Sequence, residues 1–159
     1  QKKKMTFCST GWFGRIFLRT GLILQPYVAF MPDILLKADE LLDLRKFGVE
    51  GVAMPTPGHT AGSVSVQFAT GDVMVGDLLA SGILLGGIAR TTHAIRPPFE
   101  DDPHRVAGEL ERMVNAGMQR FYMGHGGPLL AGEVHRHVQT LRTLTSGTDS
   151  QPCCQPSRR

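Results

Sequence analysis

Pro-Thr-Pro-Gly-His-Thr-Ala-Gly-Ser, residues 55–63, lies between two apolar runs, Val49–Met54 and Val64–Phe68, that read as buried strands. A histidine held among prolines and glycines at a strand end is poor core material. Pro57 fixes the direction of approach to the turn, and Gly58 permits a sharp or left-handed bend. Gly62 is expected to let the backbone come close to a neighbour. The product is a rigid loop presenting an imidazole, which is how proteins place a metal ligand or a catalytic base. Gly and Pro also punctuate ordinary turns, so taken alone the loop reads equally as a turn with an incidental surface histidine.

Two later stretches repeat the pattern. Val73–Asp77, Val-Met-Val-Gly-Asp, is a short apolar strand that ends in a carboxylate just after a glycine. Arg120–Pro128, Arg-Phe-Tyr-Met-Gly-His-Gly-Gly-Pro, is another apolar strand, ending in a histidine wrapped in glycines. Three strand ends therefore offer His59, Asp77 and His125. Imidazole and carboxylate donors suit zinc, iron or manganese. Each residue also has a bland role, Asp77 as a cap for the segment from Leu78 and His125 as a turn residue. The ordered set of three favours a site.

Thr56-Pro57-Gly58-His59-Thr60 with Gly62-Ser63, then Gly76-Asp77, then Gly124-His125-Gly126, resembles the metallo-β-lactamase-fold hydrolases. The likeness runs from about Phe30 to Leu141. It implies an α/β fold, a partial αββα sandwich in which a β-meander is followed by helix–strand–helix. It also implies that His59 binds a first metal, that Asp77 bridges two metals and is the catalytic carboxylate, and that His125 binds the second. The family's first motif, His-x-His-x-Asp-His, would precede these three, yet no histidine occurs before His59. The resemblance therefore covers the C-terminal half of the fold and only part of a dinuclear site.

Function follows from that resemblance in two forms. One is a metal-dependent hydrolase of small thioesters, lactones, lactams or phosphoesters, with zinc, iron or manganese as its metal, complete only with an upstream half or partner chain. The other is an inactive remnant used as an oligomeric binding or structural module. A protein binding a single metal ion is a third reading. In a two-sheet sandwich each sheet buries one face against the other. A half-fold is thus expected to expose a face, with Val64, Val66, Val73 and Val75 as candidates, and to cover it by forming a homodimer.

The chain has 159 residues, 42% apolar and 19% charged, which is a globular composition with length for one core. Its net charge of +3 owes much to the terminal Lys2-Lys3-Lys4 and Arg158-Arg159. No basic stripe interleaved with aromatics points to nucleic acid. Cys8, Cys153 and Cys154 make no disulfide framework, so a reducing, cytoplasmic location is expected. The run Thr20–Pro32 is too short to cross a bilayer and is interrupted by Pro26. Residues 1–10 read as a flexible leader, 11–145 as the domain and 146–159 as a disordered tail.

Along the domain, Gly11–Arg19 reads as a short amphipathic helix whose Trp12, Phe13, Ile16 and Phe17 form a core or interface face. Ile34–Leu36, Leu41–Leu44 and Val49–Met54 read as short strands. Ser63–Phe68 alternates Val64, Val66 and Phe68 with polar residues, a strand with one buried face. Thr70-Gly71-Asp72 turns it into Val73–Val75. Leu78–Ile88 reads as a short helix and loop, and Ala89–Pro98 as a loop carrying a solvated His93. Glu100–Asp102 before Pro103 marks a helix start, and Val106, Leu110, Met113 and Val114 fall on one face of Arg105–Met118. Pro128–Leu144 reads as a second helix with Leu129, Val134, Val138, Leu141 and Leu144 inward. His104 reads as a surface residue, and His135 and His137, two apart on that helix, point in different directions.

Overall fold

The computed structural model describes residues 9–20, 31–82 and 89–145. All three cysteines, most of the expected leader, most of the run 20–32, the stretch 83–88 and the expected tail 146–159 lie outside the described residues.

Helix α1 (Trp12–Arg19) is followed by strands β1 (Leu42–Asp43), β2 (Gly51–Pro55), β3 (Val64–Phe68) and β4 (Asp72–Gly76). The short strands β5 (Ala80–Ser81) and β6 (Ala94–Ile95) precede α2 (Pro103–Asn115), β7 (Arg120–Met123), β8 (Leu129–Leu130) and α3 (Ala131–Thr145). The main sheet has six strands in the order β1-β2-β3-β4-β7-β8, and β5 pairs with β6 separately. Neighbours are antiparallel except β4 and β7, which run parallel. A parallel pair needs a crossover, and α2 lies within it. This is the expected meander followed by helix–strand–helix.

The core lies between one face of the sheet and the two long helices. Val73, Val75, Phe121 and Leu129 from the strands meet Val106, Leu110 and Met113 of α2 and Val134, Val138 and Leu141 of α3, all at most 1% exposed. Their spacing on the helices is the amphipathic spacing read from sequence. Leu144 departs from it: α3 runs past the edge of the core, leaving this side chain 48% exposed. Asp102 caps α2, its Oδ1 accepting from the Arg105 N–H at 3.0 Å, with Pro103 in the first turn.

Four local expectations need correction. Val73 and Val75 are not on an exposed face, because β4 turns them towards the helices. In β3 the alternation is inverted: Ser65 is 1% exposed and Val64 44%. The register sets this, since Gln67 pairs with Val73 and Val66 with Met74, so Ser65 and Gln67 share the helix-facing side. Thr56 Oγ1 and Ser65 Oγ, 2.8 Å apart, satisfy each other there. Ile34–Leu36 forms no strand; Leu35 is 74% exposed, and apolar composition makes no strand without a ladder partner. Leu78–Gly82 forms no helix, because Ala80 and Ser81 pair with Ile95 and Ala94 while the Ser81 N–H donates to the His125 carbonyl at 3.0 Å.

Helix α1 docks through its N-terminal flank. The Thr10 N–H donates to the Pro98 carbonyl at 2.9 Å, and a Cβ on Gly14 would lie 2.3 Å from that oxygen. The Phe17 and Phe99 rings are 6.2 Å apart, whereas Trp12 and Ile16 are exposed. Among the described residues no helix is long and apolar enough to cross a membrane.

His93 is half-exposed but tethered, with Nδ1 3.2 Å from Glu133 Oε1 and Nε2 3.4 Å from the Arg136 guanidinium. That carboxylate also accepts the Ala94 N–H at 2.7 Å, and its bond to Arg136 holds its pKa down to about 2. His135 is exposed and His137 buried, as their spacing on a helix requires. Burial, reinforced by Arg136, lowers the His137 pKa from 6.5 to about 4. The unfolded chain thus binds the extra proton more readily than the folded one, and stability falls as pH drops from about 6.5 to about 4. The loss attributable to His137 is at most about 3 kcal/mol. Urea midpoints measured from pH 7 to pH 4 should show this decline, and His137→Leu should flatten it.

Candidate functional site

Strand directions decide where the three site residues fall. With β2, β3 and β4 antiparallel in turn and β7 parallel to β4, the ends of β2, β4 and β7 and the start of β3 lie at one end of the sheet. The β2–β3 loop carries His59, Asp77 follows β4 directly, and His125 comes two residues after β7. The tertiary structure therefore brings all three loops to the same edge.

The β2–β3 loop is built from its own hydroxyls. The Thr60 N–H donates to Ser63 Oγ at 3.1 Å, the two hydroxyls are 3.0 Å apart, and the Thr56 N–H donates to the Ser63 carbonyl at 2.8 Å. The loop is then pinned to the start of α2. The Asp102 N–H donates to the Gly58 carbonyl at 2.8 Å and the Asp101 N–H to the His59 carbonyl at 3.2 Å. Gly58 is required by contact: a Cβ there would lie 2.8 Å from the Val106 backbone nitrogen. Gly62, expected to make a close approach, makes none; a Cβ there would have nothing within 4 Å. His59 is half-buried. Its Nδ1 is buried with no hydrogen-bond partner among the described residues.

Asp77 and the His125 loop touch. A Cβ on Gly124 would lie 2.3 Å from Asp77 Oδ1, and the Gly124 N–H donates to the Gly76 carbonyl at 3.1 Å. Ser81 anchors the far side of this loop, its Oγ accepting the Gly127 N–H at 2.7 Å. Gly126, at φ +90°, leaves no space for a side chain, since a Cβ would meet Ser81 Oγ at 2.2 Å. Asp77 is half-buried and His125 exposed.

The donor types suit a divalent metal, but among the described residues no group of three His, Cys, Asp or Glu side chains could hold a metal ion. The described residues therefore do not fit a self-sufficient metal centre. Two contributors to the site's framework are not evident from sequence. Ser81 is a lone polar residue in an apolar stretch, the one signal available for it. Glu100 reads from sequence as an ordinary helix-start acid, yet it is 3% exposed.

No protein-family model and no curated protein matches the chain. Among solved structures it is similar to an archaeal metallo-beta-lactamase superfamily protein from Sulfolobus tokodaii, with 20% identity and a TM-score of 0.48 over 79% of this chain and 44% of that one. It is similar to VMB-1, with 14% identity and a TM-score of 0.48 over 71% of this chain and 48% of that one. A metallo-beta-lactamase family protein from Thermus thermophilus matches at 20% identity and a TM-score of 0.47 over 85% of this chain and 46% of that one. The chain spans less than half the length of each.

Close approach separates the loop glycines. Gly58→Ala should cost about 2 kcal/mol or more, because backbone atoms of α2 block the new methyl group. Gly62→Ala should change stability by no more than about 0.5 kcal/mol. Urea denaturation of the two variants checks the contrast.

Proposed function

We propose that this chain supplies one half of a metallo-β-lactamase-like hydrolase site. In this reading His59, Asp77 and His125 are metal donors, for zinc or for iron or manganese, and the remaining donors come from a second half elsewhere in the same polypeptide or in a partner. The substrate class is a small thioester, lactone, lactam or phosphoester, and the compartment is the cytoplasm. The observation that carries the reading is the placement of three donor-bearing loops at one sheet edge without a closed set of three donors among the described residues. The motif resemblance supports it.

Asp77 is the residue that the resemblance assigns to the reaction itself, and in the strand order it stands between the two histidine loops. A bound metal would supply Lewis acidity. This chain's own contribution is to hold donors on short, hydrogen-bonded loops, so that little ordering is left for the moment of assembly. Purified chain equilibrated with micromolar zinc and then dialysed should retain well under one equivalent by mass spectrometry. His59→Ala and Asp77→Ala should retain the same trace of metal, and thioesters and lactones should not turn over. Stoichiometric zinc lost in both variants, accompanied by hydrolysis, would overturn the half-site reading in favour of a self-sufficient enzyme.

A second reading, an oligomeric binding or structural module, draws on the outer face of the sheet. Val64, Met74, Tyr122 and Leu130 share that face and are 44%, 53%, 37% and 67% exposed. Proteins seldom leave contiguous apolar surface in water. A homodimer burying this face answers the constraint. Light scattering should give twice the chain mass, falling to the single mass in Met74→Lys; a wild-type monomer would refute the dimer.

A further inference from the structure

We infer that Glu100, held by Arg96, is a positioning residue for His59. The inference rests on the reading of His59 as a donor, but its geometry stands independently of any metal. The Glu100 side chain is fully buried, and its Oε2 accepts from Arg96 Nε at 2.8 Å and from the second guanidinium nitrogen at 2.6 Å. A buried carboxylate requires such a partner. The two residues that follow donate their N–H groups to the carbonyls of His59 and Gly58, at 3.2 and 2.8 Å. Asp102 then caps α2.

One ion pair thus fixes the start of a three-residue strap whose next two links grip the histidine loop. Gly58 also sits hard against Val106, so the strap and the first turn of α2 hold the loop together. Among the described residues, two of the buried side-chain atoms without a partner, Glu100 Oε1 and His59 Nδ1, belong to the two segments that this strap joins. Nδ1 is the buried ring nitrogen, and the strap acts on the ring through the backbone of the loop that carries it. Nothing in the core demands an ionisable group at Glu100; the strap gives it a purpose.

The test is amide hydrogen exchange by NMR on the whole chain, with Glu100→Ala, Glu100→Gln and Arg96→Met. Exchange at Asp101 and Asp102 should rise about tenfold in Glu100→Ala and Arg96→Met, relative to Leu110 and Phe121 in the core. The His59 ring Cε1–H resonance should shift in the same variants. Glu100→Gln keeps an oxygen for Arg96 and should restore both readouts to near wild type, which general destabilisation would not do. Unchanged exchange at Asp101 and Asp102, or an equal rise at Leu110 and Phe121, would overturn the inference. Both readouts are taken without metal, so a failure of the half-site reading and a failure of the strap give different results.

Discussion

The parallel pairing of β4 with β7 is the constraint on which the rest of this molecule depends. Parallel neighbours cannot be joined by a tight turn, so the chain must leave the sheet and return, and α2 is laid across one face in doing so. That crossover sets Val73, Val75 and Phe121 against Val106, Leu110 and Met113, and α3 closes the remaining side. Each fully buried side chain of this size contributes roughly 1.5–3 kcal/mol relative to exposure. The same pairing puts the ends of β4 and β7 side by side, which is why Asp77 meets the backbone of Gly124.

The loops at the site end of the sheet are tied together by hydrogen bonds among themselves and to α2. Hydroxyls of Thr60 and Ser63 close the His59 loop, Ser81 receives the His125 loop, and the backbone of Asp101 and Asp102 ties the His59 loop to α2. The glycines at 58, 124 and 126 are the positions where these segments approach too closely for a side chain. Among the described residues this end of the sheet holds no closed set of three metal-binding side chains. The outer face of the sheet exposes Val64, Met74, Tyr122 and Leu130 beside the Asp72–Arg120 ion pair.

Much of this was legible in the residues. The capped helix from Pro103 and its inward stripe follow from local chemistry and a 3.6-residue period. The three strand-end motifs were visible because Gly and Pro around His59 and His125 are hard to explain as core. The inward face of β3 was not legible: Val64, Val66 and Phe68 alternate as a buried stripe should, yet Ser65 is the buried residue. Alternation marks two faces but does not say which one the helices cover, and a buried hydroxyl is tolerated once Thr56 answers it. Ile34–Leu36 failed for a related reason, since strand formation needs a partner edge that composition cannot supply.

The sequence by itself determined the meander from β2 to β4, the two amphipathic helices α2 and α3, and the placing of His59, Asp77 and His125 at strand ends, because turn chemistry and hydrophobic period are local properties. Only the tertiary structure decided that the loops carrying His59, Asp77 and His125 share one end of the sheet, that Val73 and Val75 face the helices, and that Glu100 is buried beside the His59 loop. Those outcomes depend on strand order, register and the path of the crossover. They are set by which faces exclude water together, and no short window of sequence contains that information.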